Sequence, residues 1–289
     1  MSTSLIEVAG VTLRVEQRRP DDARGVPLLL IPGIGAPLDL FEPFCTALGA
    51  RATISFDPPG VGESSTPALP RTMAQLADLV AALVDRLGHD TVDVLGLSWG
   101  GALAQEFTLR HPRRVNRLVL VATMHGWTSL PGDPLAMSIL ATPLRYYSAS
   151  YLRAVAPLLY GGGIRHEPGL LDRQAYLRQR HAPSLTGYTW QLAAVTGWSS
   201  RFRLGRIASR TLVLAGDDDP IINVANAHTM ARLIPDTELV VLERGGHLFL
   251  LVRAEETAAI VDRFLNRSDG PTDGVAPAPL AVPPGAVLA

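Results

Sequence analysis

The sequence predicts an α/β fold: a mostly parallel sheet flanked by helices, with a helical insertion between two of its strands. Three observations carry this reading. Short apolar runs alternate with segments of helical periodicity over residues 26–122. Several of these runs stop at proline, glycine or aspartate, as a buried parallel strand does when a tight loop follows. The rhythm breaks at Thr123 and returns near Arg206. Strand–helix alternation of this kind implies parallel strands with helices on both faces.

Leu5 to Glu16 reads as two short strands around a turn at Gly10, followed by a polar stretch, Gln17 to Gly25. Val26 to Ile31 is a buried strand stopped by Pro32-Gly33. Ala52 to Phe56 is another, stopped by Asp57-Pro58-Pro59-Gly60. Between Thr72 and Leu87, the residues Leu76, Leu79, Val80, Leu83, Val84 and Leu87 fall at helical spacing, and Gly88 ends the helix. A strand Val92 to Leu95, a helix Gly101 to Arg110 stopped ahead of Pro112, and a strand Val115 to Ala122 follow. Thr123 to Arg206, rich in Tyr, Pro and Leu, is expected to be a mostly helical insertion. Strands Thr211 to Ala215 and Glu238 to Leu242 and a helix Ala254 to Leu265 complete the pattern. The expected organisation is a first core part (1–122), a cap insertion (123–206), a second core part (207–267) and a Pro/Ala-rich tail (268–289). The tail lacks amphipathic pattern and is expected to be disordered.

Hydrophobic residues form 47% of the 289 and charged residues 18%, enough for a sizeable core. The 26 basic and 27 acidic residues leave a formal net charge of -1 with no block of like charge, which excludes the basic footprint of a nucleic-acid binder. Cys45 is the one cysteine, so no internal disulfide forms; between Phe44 and Thr46 it reads as a small buried residue rather than a nucleophile. The N-terminal segment lacks a basic start followed by an apolar core. The apolar stretch Val26 to Leu38 is broken by Pro and Gly and is too short to span a bilayer. A soluble cytoplasmic protein without a transmembrane segment is expected. No histidine pair has helical metal spacing and the acidic triplet at Asp217 is too local to form a cage, so no metal and no cofactor are expected. Gly60-Val61-Gly62 lacks the Lys-Ser/Thr ending of a phosphate loop and reads as a structural turn. The sequence carries no signal for oligomeric state.

The strongest local signal is Gly96-Leu97-Ser98-Trp99-Gly100-Gly101. A serine hydroxyl is a weak nucleophile unless a base takes its proton and its oxygen is presented openly. The G-x-S-x-G elbow of the α/β-hydrolase fold presents it on a strained turn between strand and helix, and glycines admit the crowding there. The motif is short enough to arise by chance. Its weight comes from the apolar strand before it and the helix after it, with Leu103 and Phe107 one turn apart. In this fold the partners follow in the order serine, acid, histidine. His247, in Gly245-Gly246-His247-Leu248 after the strand Glu238 to Leu242, lies where the fold delivers its histidine. His89, His111 and His228 read as surface residues, as do His166 and His181 in the insertion; His125, just beyond the strand ending at Ala122, is a candidate to line the pocket. The acid belongs to the loop Gly216-Asp217-Asp218-Asp219-Pro220-Ile221-Ile222, where three aspartates compete. Hydrolases of this kind place it three residues after the glycine, ahead of an x-[Ile/Val]-x segment, which selects Asp219. Its task is to fix the imidazole tautomer and stabilise the imidazolium. Two N–H groups must face the developing oxyanion. They are assigned to Trp99, following the nucleophile, and to Ile34, in the loop after the strand Val26 to Ile31. Pro32-Gly33 stands where many such hydrolases have His-Gly, and the glycine still makes the bend.

With these residues placed, the chain resembles the intracellular depolymerases of medium-chain-length polyhydroxyalkanoates from about Val26 to Leu265. The segments that carry the resemblance are LLLIPGIGAPLDLFEPF, FDPPGVGESSTP, GLSWGGALAQEF, GYTWQLAAVTGW, TLVLAGDDDPII and GGHLFL. Gly33 to Ala36, Gly187 to Gln191 and Gly246 to Leu250 are the more particular, and those in the insertion discriminate best. The resemblance implies hydrolysis of ester bonds between 3-hydroxyacyl units, with Ser98, Asp219 and His247 as the triad. It departs at Asn223, where relatives commonly have proline, and matches loosely over Arg71 to His89. The insertion is expected to supply an apolar acyl pocket. Gly33, His125, Trp127, Trp190 and Leu248 are expected to contact substrate, and Tyr146, Tyr147, Tyr151 and Trp198 are further candidates. The density of aromatics raises docking to a polyester granule surface as an expectation.

The triad itself does not distinguish this reading from a small-ester, lactone or thioester hydrolase, because substrate class resides in the insertion. A carbon–carbon bond hydrolase of dienoic acids uses the same three residue types. A non-catalytic ligand receptor on this fold is a reading from another class, and a complete triad argues against it. A haloalkane or epoxide hydrolase needs aspartate at the nucleophile position and is disfavoured by Ser98.

Overall fold

A computed structural model describes residues 2–23, 25–267 and 286–288. The strands are β1 (Ser2–Val8), β2 (Val11–Arg18), β3 (Leu28–Ile31), β4 (Thr53–Phe56), β5 (Val92–Leu97), β6 (Val115–Val121), β7 (Arg210–Gly216), β8 (Thr237–Leu242) and β9 (Ala286–Leu288). Among the described residues they form one sheet in the order β1-β2-β4-β3-β5-β6-β7-β8-β9. The six strands from β4 to β8 pair in parallel, and antiparallel pairs close both edges. All residues of β3 and β5 are buried, as central parallel strands covered on both faces must be.

The helices are α1 (Glu42–Leu48), α2 (Met73–Arg86), α3 (Trp99–Arg110), α4 (Pro134–Leu140), α5 (Leu144–Tyr147), α6 (Ala149–Tyr160), α7 (Pro168–Arg180), α8 (Leu185–Val195), α9 (Ala225–Leu233), α10 (Phe249–Val252) and α11 (Ala254–Leu265). Successive side chains of a strand point to opposite faces, and two cores result. Leu29, Ile31 and Val94 pack with Leu79 and Leu83 of α2 and Phe107 of α3. Leu28, Leu30 and Leu95 pack with Phe44 of α1 and Phe264 of α11. The insertion contributes α4 to α8 between β6 and β7. Leu152, Leu159 and Ile164 form a third cluster with Ile221, Ile222 and Leu248, which lie beyond the ends of β7 and β8. The α2 start is fixed by a reciprocal cap: Gln75 N donates to Thr72 Oγ1 (3.2 Å) and Thr72 N to Gln75 Oε1 (2.9 Å).

Three differences from the sequence expectation have physical reasons. β3 begins at Leu28 because Pro27 has no N–H to donate, although its carbonyl still accepts from Asp93 N (3.0 Å). α3 begins at Trp99 rather than Gly101, because the turn itself is the first helical turn. Within the tail expected to be disordered, 268–285 and 289 lie outside the described residues, whereas Ala286–Leu288 pair antiparallel with β8, whose edge offers open backbone groups. Among the described residues, no helix is long and apolar enough to cross a membrane.

The chain runs from β3 outward to β4 and returns to β5 on the other side of β3. Loops leaving β3 and β5 therefore diverge at the sheet's carboxyl edge and open a crevice there. Close approach at that point depends on Gly100, where an added methyl overlaps the Ile31 carbonyl oxygen and sits 2.5 Å from that of Pro32. Gly100→Ala is expected to lower the melting temperature by about 5–10 °C, measured by thermal unfolding. An unchanged midpoint contradicts the packing.

Candidate active site

Ser98 occupies the turn between β5 and α3 with φ 56° and ψ -118°, a left-handed conformation costly for a residue with a Cβ. Its neighbours enforce this. Ser98 N donates to the Val121 carbonyl (2.9 Å), and the Ser98 carbonyl accepts from Thr123 Oγ1 (2.6 Å) and Gly101 N (2.9 Å). A Cβ on Gly101 would lie 2.5 Å from that of Thr123, and one on Gly96 would overlap the Gly100 carbonyl. The strain lifts the hydroxyl out of the buried strand to the half-buried floor of the crevice.

His247 follows the Gly245-Gly246 turn after β8 and is 5% exposed. Its Nδ1 lies 2.8 Å from Asp219 Oδ2, and its backbone N donates to the Tyr160 carbonyl (2.7 Å). The Tyr160 ring stacks on the imidazole at 6.4 Å between centroids. The three aspartates separate by environment. Asp217 and Asp218 are exposed, and Asp218 Oδ2 accepts from Gly162 N (2.7 Å). The Asp219 side chain is 1% exposed and its Oδ1 accepts from Ile221 N (2.8 Å) and Ile222 N (3.0 Å). One carboxylate oxygen is thus fixed by backbone and the other faces the imidazole.

The loop after β3 turns through Gly33 to Ala36, with Gly35 at φ 67°. Helices of the insertion fix it. Tyr146 Oη donates to the Ile34 carbonyl (2.5 Å), and Gly35 N donates to Gln191 Oε1 (2.8 Å). Trp99 Nε1 donates to the Gln191 carbonyl (2.9 Å), so one buried glutamine ties α8 to both Ile34's loop and Trp99. Trp99 is the first residue of α3, where N–H groups have no intrahelical acceptor. Gln191 and Tyr188 were the signal within the GYTWQ segment: Tyr188 packs edge-on against Gly35 and its hydroxyl bonds the Leu140 carbonyl (2.5 Å).

Two cavities meet at Ser98 and Ile34. One is lined by Gly33, Tyr146, Tyr160, Arg145, Arg178, His247 and Leu248. The other, of about 380 Å³, is bordered by Trp99, Met124, Trp127, Leu130, Leu192 and Ile222. That is within the size range of small-molecule sites, about 300–1,000 Å³. Of the residues expected to contact substrate, Gly33, Trp127 and Leu248 line these spaces. His125 and Trp190 line neither of them. His125 is 1% exposed, with Nδ1 3.1 Å from both Thr128 Oγ1 and Ser129 Oγ; burial and nearby Arg201 hold its pKa below the usual value. It shapes the loop from inside while its neighbours Met124 and Gly126 face the cavity. Trp190 points instead to the Pro67 carbonyl (3.2 Å) in a separate depression with Arg71 and Leu76. Helical geometry turns it away, because Gln191 beside it takes the inward position.

This crevice, with a strained serine at a strand–helix elbow and an Asp–His pair from two later loops, defines a class. A family model described as α/β hydrolase fold matches residues 26–254, and the chain belongs to that family. It is 44% identical over 250 residues to the poly(3-hydroxyalkanoate) depolymerase of Ectopseudomonas oleovorans, covering 86% of this chain and 87% of that protein. A solved hydrolase from Pseudomonas aeruginosa PA01 aligns with a TM-score of 0.77 and 26% identity, covering 92% of this chain and 98% of that one. The enol-lactonase from Burkholderia xenovorans LB400 aligns with a TM-score of 0.79 at 24% identity over 91% of this chain and 100% of that one, a likeness of fold.

A proton on His247 Nδ1 shared with Asp219 is expected to resonate far downfield of the backbone amides in the ¹H NMR spectrum and to vanish in Asp219→Ala. A downfield signal that survives this substitution contradicts the contact.

Proposed function

We propose that this protein is a serine hydrolase that cleaves ester bonds between medium-chain 3-hydroxyacyl units through an acyl-enzyme. The observation that carries the chemistry is the 2.8 Å Asp219–His247 contact on the wall of the cavity that also holds Ser98. The choice of ester rests on the 44% identity to a poly(3-hydroxyalkanoate) depolymerase across most of both chains.

In this reading His247 Nε2 takes the Ser98 proton as Oγ attacks the ester carbonyl. Asp219, accepting from Nδ1–H, keeps Nε2 free as the base and stabilises the imidazolium. The N–H groups of Trp99 and Ile34 receive the oxyanion; one such donor is typically worth about 3 kcal/mol. The tetrahedral intermediate collapses as His247 passes its proton to the leaving alkoxide. Water, deprotonated by His247, then attacks the acyl-enzyme, and Ser98 regains its proton as the acid departs. The broad apolar cavity suits a medium-length side chain, since burial of each methylene contributes about 0.8 kcal/mol.

The rim of that cavity is apolar as well: Trp127 is 67% exposed, Leu130 56% and Met137 39%. Exposed apolar groups around a site mouth support docking on a hydrophobic surface, and we place the protein in the cytoplasm at the face of a polyester granule. The wild type is expected to co-sediment with amorphous polyester particles and Trp127→Glu to do so less; equal sedimentation argues against the rim.

Incubation with amorphous medium-chain polyester is expected to release 3-hydroxy acids detectable by mass spectrometry. Ser98→Ala should release none while keeping its melting temperature, and Asp219→Asn should lower kcat by roughly three to four orders of magnitude. Turnover of short nitrophenyl esters or acyl-CoAs without 3-hydroxy acids from polyester would leave a serine hydrolase of another ester.

A further inference from the structure

The cavity shared by Ser98 and His247 contains two arginines that the proposed mechanism does not use. Arg145 of α5 is 2% exposed and Arg178 of α7 is 3% exposed, and both line the cavity. Arginine stays protonated in proteins. Among the described residues neither has a carboxylate partner. Both guanidinium groups lie against one ring: Cζ of Arg145 is 4.7 Å and Cζ of Arg178 4.9 Å from the Tyr146 centroid. Arg145 Nη1 donates to the Thr142 carbonyl (2.9 Å), and its guanidinium also faces Tyr188 at 5.3 Å. Among the described residues, Nε of Arg145, Nε of Arg178 and Oη of Tyr160 are buried without hydrogen-bond partners, as are both amide atoms of Gln174, one turn from Arg178.

Ring faces, one carbonyl and the Tyr188 hydroxyl restore only part of the hydration that two buried cations lose, and the two like charges repel across Tyr146. A buried charge is normally paired. The unmet donors therefore describe a site awaiting an anion, and guanidinium forks match a carboxylate.

We propose that Arg145 and Arg178, with the Tyr160 hydroxyl, bind the free terminal carboxylate of a 3-hydroxyacyl chain, so that the enzyme removes units from the carboxyl end. This rests on the ester-hydrolase reading above and deepens it. The geometry assigns the two sides of the scissile bond. His247, which gives its proton to the leaving alcohol, lines the cationic cavity and not the broad apolar one. The leaving group thus occupies the arginine side, and the acyl chain the apolar side near Trp99 and Leu192. When the terminal carboxylate is held, the ester one unit inward meets Ser98. The ester C–O bond breaks, a serine ester forms, and the terminal 3-hydroxy acid leaves as alcohol with the proton from His247. Water then cleaves the serine ester, which leaves a chain one unit shorter with a new carboxylate to rebind.

The test compares the 3-hydroxyoctanoate trimer as free acid and as methyl ester at neutral pH. The wild type is expected to show kcat/KM about 10- to 100-fold higher for the acid, the range that charge-assisted hydrogen bonds supply, with monomer as first product. In Arg178→Gln that ratio should fall toward one. Equal kcat/KM for the two trimers in the wild type, or a ratio unchanged in Arg178→Gln, overturns the carboxylate site while ester hydrolysis stands. Cleavage of neither overturns the ester-hydrolase reading and, with it, the chain-end role. Titration of Ser98→Ala with 3-hydroxyoctanoate and its methyl ester reads the site without turnover. The acid is expected to bind about tenfold or more tightly, and equal affinity overturns the proposal.

Discussion

The chemistry of this molecule depends on how closely a strand, a turn and a helix approach at residues 96–101. Ser98 adopts φ 56° because β5 must reverse into α3 within one residue, and the reversal is sterically open only if Gly96, Gly100 and Gly101 carry no side chain. The atoms that a methyl on Gly96 or Gly100 would strike are backbone, the carbonyls of Ile31, Pro32 and Gly100, and one on Gly101 would strike the Thr123 side chain. Backbone of neighbouring strands cannot yield locally as a flexible side chain does. The strain at Ser98 is held by the sheet register, in which Ile31 pairs with Gly96, and the register is held by the buried Val and Leu residues on both faces.

A second layer of constraint comes from the insertion. Gln191 and Tyr188 of α8 and Tyr146 of α5 reach onto the Ile34–Gly35 turn and Trp99. The two N–H groups proposed to receive the oxyanion therefore have their orientation set by the cap as well as by the sheet. Gly187 packs directly on Gly60, which brings the α8 backbone against the loop after β4. The cap is built into the site's geometry rather than resting over a finished site.

The sequence made the sheet legible because its central strands are short, continuous apolar runs, and parallel strands covered on both faces have that signature. The elbow, the histidine and the choice of Asp219 among three aspartates were legible for a related reason: they sit at strand ends, at positions the fold dictates. The cap was legible only as composition. Two of its longer helices, α7 and α8, are not strongly amphipathic around a single face, and α8 buries Gly187, Tyr188, Gln191 and Ala194 against a loop rather than a sheet. Aromatic residue type could not say which way Trp190 points or that His125 lies behind the cavity wall. The same limit hid Arg145 and Arg178. A lone arginine in a helix reads as surface, and only the fold reveals it as buried beside Tyr146.

The cap's attachments restrict how substrate enters. The end of α6 is bound to the histidine loop itself: His247 N donates to the Tyr160 carbonyl, and Gly162 and Gly246 approach so closely that a Cβ on either would overlap the other segment's backbone. Lifting α6 would move the imidazole and break its alignment with Asp219. Access must therefore open elsewhere. The 380 Å³ cavity reaches the surface beside Trp127 and Leu130, on the loop between β6 and α4, which is tied mainly by the Leu130–Asn226 pair of hydrogen bonds at 2.8 Å each and by the Gly126–Ser199 bridge. Its far end is fixed to the Asp219 turn, because Asp133 N donates to the Pro220 carbonyl and a Cβ on Gly132 would overlap the Ile221 carbonyl, so only the part ahead of Gly132 can shift without disturbing the Asp219–His247 pair. The apolar rim is thus also the side on which the structure tolerates movement, and a chain entering there passes Trp127 before it reaches Ser98.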